Sequence, residues 1–303
     1  MAKTHRFSWA VVAVLFATAS LVACTPETRN AGDDSGDDDT PQSLDAALAD
    51  AHDIGFIDAA PLVPDSSVPT ELDGVVYGHS SSTLYKIDPT SFAVTVVADF
   101  TWPDAAFDTM TDIAIDKDGV MMGVSFTKVY RVDPMTAACS FVGTLDRQFN
   151  GLSYVPAPAA APDGPERLVG TTLDGTVWAI DPATGATSLA GSYGGGWTSS
   201  GDIVYVEGFG IVATVKANAV GADYLASIDP STFTATPIGM AAGGTGFSDI
   251  WGLGFWKGKV FGFSGAAQML LIDPTTGAAS LLATGQSVTW WGAGVTTSAP
   301  VIP

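Results

Sequence analysis

The sequence predicts an all-β fold, a five-bladed β-propeller closed by its own C-terminal strand. Three observations predict it. An apolar strand running into Asp-Pro recurs five times, with the aspartates Asp88, Asp133, Asp181, Asp229 and Asp273 spaced 45, 48, 48 and 44 residues apart. Each complete repeat holds four short strand patterns, which is the content of a propeller blade. A strand pattern missing from the first repeat reappears at the C-terminus.

The Asp-Pro element is a turn between two strands. The stretches Leu84–Ile87, Val129–Val132, Val177–Ile180, Leu225–Ile228 and Leu270–Ile272 are rich in Val, Ile, Leu and aromatics, as strands are. Proline then presets φ for the turn, and the preceding Asp can accept hydrogen bonds from the turn backbone. Thr184-Gly185 and Thr276-Gly277 supply residues free to take positive φ. A further short strand follows each turn. Upstream lies a second hairpin, clearest in Asp112–Ile115, a turn at Lys117-Asp118-Gly119, and Val120–Val124. Its counterparts are Gly151–Val155 with Leu168–Thr171, Asp202–Val206 with Ile211–Val215, and Trp251–Phe255 with Val260–Phe263. The first repeat begins at Val75 with its second strand. Val288–Val295 matches the first-strand pattern of Trp251–Phe255 and has no blade of its own, so it completes blade one and removes the open sheet edge.

The N-terminal quarter has a different composition. Residues 1–23 read as a secretory signal: Lys3 and Arg6 lead, and Trp9–Val22 is an apolar run too short to span a bilayer. Leu21-Val22-Ala23-Cys24 resembles the bacterial lipobox, which implies cleavage before Cys24 and acylation of that residue; several acyl chains hold a membrane firmly. Thr25 rather than Asp after the cysteine points to the outer membrane or cell surface. Residues 24–71 read as an acidic flexible linker. They carry 12 acidic residues against Arg29 alone, include the unpackable run Gly32–Asp39, and are broken by Pro61, Pro64 and Pro69. Residues 72–303 form the propeller domain.

That domain has 20 acidic and 9 basic residues. Such a balance excludes nucleic acid and anionic surfaces as partners and favours neutral or cationic ligands. The domain is read as a monomer. Its single cysteine, Cys139, has no partner for a disulfide and sits on an outer strand. No cofactor and no metal site are expected. Asp116-Lys117-Asp118-Gly119 lacks the remaining ligands of a calcium loop and reads as a hairpin turn.

Propellers bind at one mouth of the central channel, among the loops leading into the first strand of each blade and those joining the second and third. Those loops collect the ligand-binding candidates Trp102, Asp112, Asn150, Trp197, Asp202, Asp249, Trp251, Trp290 and Trp291. Aromatic faces stack and short polar groups hydrogen-bond, a mixture suited to a glycan or peptide. Asp112 and Asp202 share a repeat position, aligned with Trp251 and Trp291. They can act as general acid and base, share a cation, or cap the unpaired amides of neighbouring strands.

The strand–Ile-Asp-Pro-x-Thr-Gly–strand pattern over residues 73–295 resembles the NHL, YVTN and quinoprotein-like propeller repeats of exported bacterial proteins. The resemblance implies the fold and an extracytoplasmic place, and leaves function open. The expected function is a non-enzymatic binding or interaction module for a glycan, peptide or envelope partner protein. The alternative is a glycan-active hydrolase or lyase. Five-bladed furanosidases, similar in architecture, use Asp, Asp and Glu at inner-strand starts. Asp112, Asp202 and Asp249 stand in for the aspartates, whereas Glu166 and Glu207 fall on the opposite face.

Overall fold

The computed structural model describes residues 75–103, 107–239, 244–283 and 288–302. The signal, Cys24 and the linker lie outside the described residues. The strands in chain order are β1 (Val76–His79), β2 (Thr83–Ile87), β3 (Val94–Asp99); β4 (Asp112–Ile115), β5 (Met121–Val124), β6 (Lys128–Val132), β7 (Cys139–Thr144); β8 (Gly151–Val155), β9 (Arg167–Thr171), β10 (Thr176–Ile180), β11 (Thr187–Ser192); β12 (Trp197–Val206), β13 (Gly210–Ala217), β14 (Val220–Ile228), β15 (Ala235–Pro237); β16 (Ile250–Trp256), β17 (Lys259–Ser264), β18 (Gln268–Ile272), β19 (Ala279–Ala283); and β20 (Gly292–Gly294). They form five antiparallel four-stranded sheets. The chain is a five-bladed β-propeller, with no helix among the described residues. The tail strand β20 pairs with β1 in the register Tyr77↔Gly294, Gly78↔Ala293, His79↔Gly292, so the last strand is innermost in the first blade. The inner strands are therefore β20, β4, β8, β12 and β16.

The repeated aspartates build their turns as their chemistry requires. Asp88 Oδ1 accepts the N–H groups of Thr90 and Ser91, both at 2.8 Å. Asp133, Asp181, Asp229 and Asp273 make the corresponding bond to Met135, Ala183, Ser231 and Thr275. The residue four beyond each Asp has positive φ: Phe92 (61°), Ala137 (55°), Gly185 (76°), Phe233 (62°) and Gly277 (70°). Only two of these are glycine, so three turns hold a left-handed conformation that L-residues resist. Packing compensates. Phe233 and Ala137 are fully buried, and the Phe92 ring lies 6.0 Å from that of Phe261 in blade five.

These turns dock each blade on the one before it. A Cβ added at Gly143 of β7 would collide with the Thr184 carbonyl, one at Gly191 of β11 with the Thr232 carbonyl, and one at Gly239 with the Thr276 carbonyl. The three carbonyls each sit three residues past a turn aspartate in the following blade. Glycine on the outer edge of one blade is thus the seat for the turn of the next. The interior between sheets is apolar and aromatic; Trp290, fully buried, wedges between blades with its ring 5.4 Å from Tyr85 and 5.2 Å from Phe263.

Blade four departs from the expected pattern. Residues expected as loops at Ser192–Gly201 and Val215–Tyr224 are largely strand. β12 starts at Trp197, paired with Ala217, and the β13–β14 hairpin turns at Asn218-Ala219, both at positive φ as a type I′ turn requires. The local sequence Val-Lys-Ala-Asn-Ala-Val-Gly reads as polar loop; pairing across the hairpin makes it strand.

Gly143→Ala is expected to destabilise the fold by about 1–3 kcal/mol through overpacking against the next blade. Gly221→Ala, at φ +86° but in open space, meets only the left-handed penalty of about 1 kcal/mol. Denaturant midpoints of the two variants check the difference; equal losses would show that the docking contact carries no special weight.

Candidate functional site

The register corrects the repeat alignment at the channel. Asp112 pairs with Val124, Gly151 with Thr171 and Gly292 with His79. The equivalent positions are thus Asp112, Gly151, Asp202, Gly252 and Gly292. Trp251 and Trp291 stand one residue earlier. Strand alternation turns adjacent side chains to opposite faces, so this single step separates two sets of residues, one set inside the ring and one at its mouth.

The inner set is closed to solvent. Asp112 and Asp202 have 0% and 1% exposure. Asp112 Oδ1 accepts the Ile113 N–H at 2.9 Å, and its Oδ2 accepts that of Leu152 in blade three at 2.7 Å. Asp202 treats Ile203 and Leu253 of blade five the same way, both at 2.7 Å. Burial, foremost, pushes both carboxyls well above the usual carboxylate range, and for Asp202 the facing Asp112 carboxylate adds to the push. Both groups therefore resist ionisation in the folded protein. Each carboxyl straps one inner strand to the next blade's backbone, the capping role that the sequence left open beside acid–base work.

His79 completes this layer. Its Nδ1 is 2.8 Å from the Ser80 carbonyl and so carries the proton. Its Nε2 lies 3.7 Å from Asp112 Oδ1 and makes no hydrogen bond. Burial holds the imidazole neutral, its pKa pushed down to about 4.

The outer set lines a cleft of about 230 Å³ at the channel mouth. Thr111, Asn150, Trp251 and Trp291 come from the leading ends of four inner strands and Ser200 from within the longer β12, one residue per blade; Phe149 and two turn residues, Phe126 and Leu173, complete the wall. Trp291 is the hub, with the Phe126 ring 6.2 Å away at 70° and the Trp251 ring 6.3 Å away at 67°. Phe126 and Leu173 are 42% and 67% exposed. Three polar groups of the wall donate elsewhere: the Thr111 hydroxyl to the Val124 carbonyl, the Ser200 hydroxyl to Asp223 Oδ1, and Asn150 Nδ2 to Ser199 Oγ. Asn150 Oδ1 is buried without a partner.

Of the nine sequence candidates in the domain, Asn150, Trp251 and Trp291 meet in this cleft. The others are elsewhere. Trp290 is the blade wedge, because it alternates with Trp291. Trp102 packs on Phe100 and Tyr130, with centroids 5.8 and 5.0 Å away. Trp197 packs on Tyr224 in the blade-four ribbon. Asp249 is exposed and ion-paired with Lys216 Nζ at 2.8 Å. Asp112 and Asp202 lie in the sealed layer, apart from Asp249, so the three do not form a catalytic group.

Sequence reading missed Phe126, Leu173 and Asp223. The signal for the first two is an apolar residue inside an otherwise polar turn, Ser125-Phe126-Thr127 and Thr172-Leu173-Asp174. Asp223 had no signal. It is fully buried, caps the Ile250 N–H at 2.7 Å and pairs with Lys216 at 3.6 Å. Burial, opposed by the Ser200 and Ile250 bonds, raises its pKa.

The buried pair makes stability depend on pH with a definite sign. Carboxyls raised in the folded state bind protons that the unfolded chain releases above about pH 4, so their contribution declines as pH rises toward their folded values. His79 acts oppositely: its contribution is lost as pH falls from about 6.5 toward 4. Asp112→Asn should flatten the decline above about pH 4, and His79→Gln should leave the alkaline part of that decline intact. Denaturant midpoints measured upward from that pH provide the check, and a parental slope in Asp112→Asn would contradict the raised carboxyl pair.

No family model matches the chain, and no curated protein matches it. Among solved structures it is similar to an oligogalacturonate lyase in complex with manganese, at 12% identity over 70% of this chain and 62% of that one, with a TM-score of 0.38. It is also similar to BamB from Moraxella catarrhalis (15% identity, 69% and 58% covered, TM-score 0.31). An auxiliary nutrient binding protein from Bacteroides ovatus is a third (14% identity, 73% and 57% covered, TM-score 0.42). The chain thus spans less than two thirds of the length of each of these proteins. With TM-scores below 0.5, these likenesses carry no inference about ligand or chemistry.

Proposed function

We propose that this chain is an exported lipoprotein of the bacterial envelope whose propeller acts as a binding module, without turnover, at the channel mouth. Cys24 would carry the acyl chains, residues 24–71 would act as the spacer, and the propeller would present its cleft to a group borne by a glycan, peptide or partner protein. One observation carries the binding reading: all five blades contribute a residue from the mouth side of the inner strand, or just before it, to a single aromatic cleft. Concave, mostly apolar sites with a few convergent polar groups are where proteins take ligands. Binding is favoured over turnover because the channel carboxyls are engaged by backbone N–H groups below the floor. The lipobox resemblance and the acidic, proline-broken linker support the anchored arrangement.

A glycan and peptide array probed with the intact protein tests the binding reading. Trp291→Ala is expected to weaken retained ligands at least tenfold with no product formed by the parent; unchanged affinity in this variant, or release of product, would overturn it. Fractionation and intact-mass measurement test the anchor: Cys24→Ser should lose the acyl mass and leave the membrane fraction.

A further inference from the structure

The cleft combines three properties that together narrow its ligand, given that it is a binding site as argued above. Its wall is aromatic on several sides, with Phe126, Trp291 and Trp251 meeting at steep angles of 70° and 67°. Among the described residues, no charged side chain lines it. The domain around it is strongly acidic, with 20 acidic residues against 9 basic ones. Aromatic faces carry negative potential and attract cations, the more so where water is excluded. The summed field of an acidic domain draws cations and repels anions. A primary ammonium would need three hydrogen-bond acceptors, and an apolar wall offers too few. A quaternary ammonium has no N–H to satisfy and presents methyl groups to the rings. At about 230 Å³ the space is below the roughly 300–1,000 Å³ of sites that enclose drug-sized ligands, and it suits one compact head group.

We infer that the channel-mouth cleft of Phe126, Phe149, Leu173, Trp251 and Trp291 binds a quaternary ammonium group. A small molecule, glycan, peptide or partner protein bearing that group fits better than a phospholipid, whose head brings an anionic phosphate that the domain's charge repels.

Choline and its neutral carbon isostere, 3,3-dimethylbutan-1-ol, have the same shape and differ in charge, so the pair isolates the electrostatic contribution. Calorimetric titration of the purified full chain should show saturable choline binding at least about tenfold tighter than the isostere, consistent with a desolvated cation–π contact. Affinity should fall severalfold between low salt and 1 M NaCl as the domain field is screened. Leu173→Lys should abolish binding by placing a cation at the mouth; Leu173 is 67% exposed, so the fold is retained. Unchanged or no affinity for phosphatidylcholine vesicles in the presence and absence of choline supports a non-lipid carrier, whereas choline-competed vesicle binding overturns that choice of source. Equal or tighter binding of the isostere, no choline saturation, or parental affinity in Leu173→Lys overturns the inference. A neutral array ligand whose binding Leu173→Lys removes, with choline inert, would sink this inference and leave the binding module standing.

Discussion

Backbone-to-backbone contact between neighbouring blades is the constraint on which the rest of the structure depends. On the outer edge, Gly143, Gly191 and Gly239 admit the carbonyl of the next blade's turn. On the inner edge, a Cβ at Gly151 would meet the Gly201 carbonyl region, one at Gly201 the Ile250–Trp251 backbone, and one at Gly252 the Gly292–Ala293 backbone. No side chain fits between the inner strands at these positions. Dispersion and buried hydrogen bonds replace it, and the ring becomes as tight as it is because its members are small.

This tightness decides the fate of the channel aspartates. Inner strands brought so close leave amides in need of acceptors, and an unpaired buried N–H is costly. Asp112 and Asp202 supply those acceptors across two blade boundaries and face each other in doing so. Two buried carboxyls so placed resist ionising together, and their pKa values are raised. Chemistry on a ligand would require them open to the mouth. The ring's geometry instead places Thr111, Asn150, Ser200, Trp251 and Trp291 there, and the aromatic cleft is what remains at the surface once the ring has closed.

The outer rim faces the opposite problem, since the outermost strands have unpaired edges. Val96, Phe141, Leu189 and Leu281 are exposed there at equivalent positions. Beside each, the register of the third strand shifts, between Leu84 and Tyr85, Val129 and Tyr130, Val177 and Trp178, and Met269 and Leu270. A bulge twists an edge away from edge-to-edge pairing. Blade four lacks both the large apolar residue and the shift, and its edge strand is only three residues, ending at Pro237. A short strand closed by a residue without an N–H is another way to the same protection.

The sequence by itself determined the repeat, the blade count, the closure by the Val288–Val295 tail and the turn-making role of the five Asp-Pro aspartates. All of these are local: periodicity of apolar residues, proline's fixed φ and the short reach of an aspartate to its own turn. It also marked the mouth at which the aromatic cleft lies. Which residues meet there was decided by tertiary structure. A one-residue difference in register sends Trp290 between the sheets and Trp291 to the cleft, and leaves Asp112 and Asp202 below it. Register depends on pairing across strands far apart in the chain, and burial of Asp223 and His79 depends on blades closing around them. Neither quantity exists until the ring does.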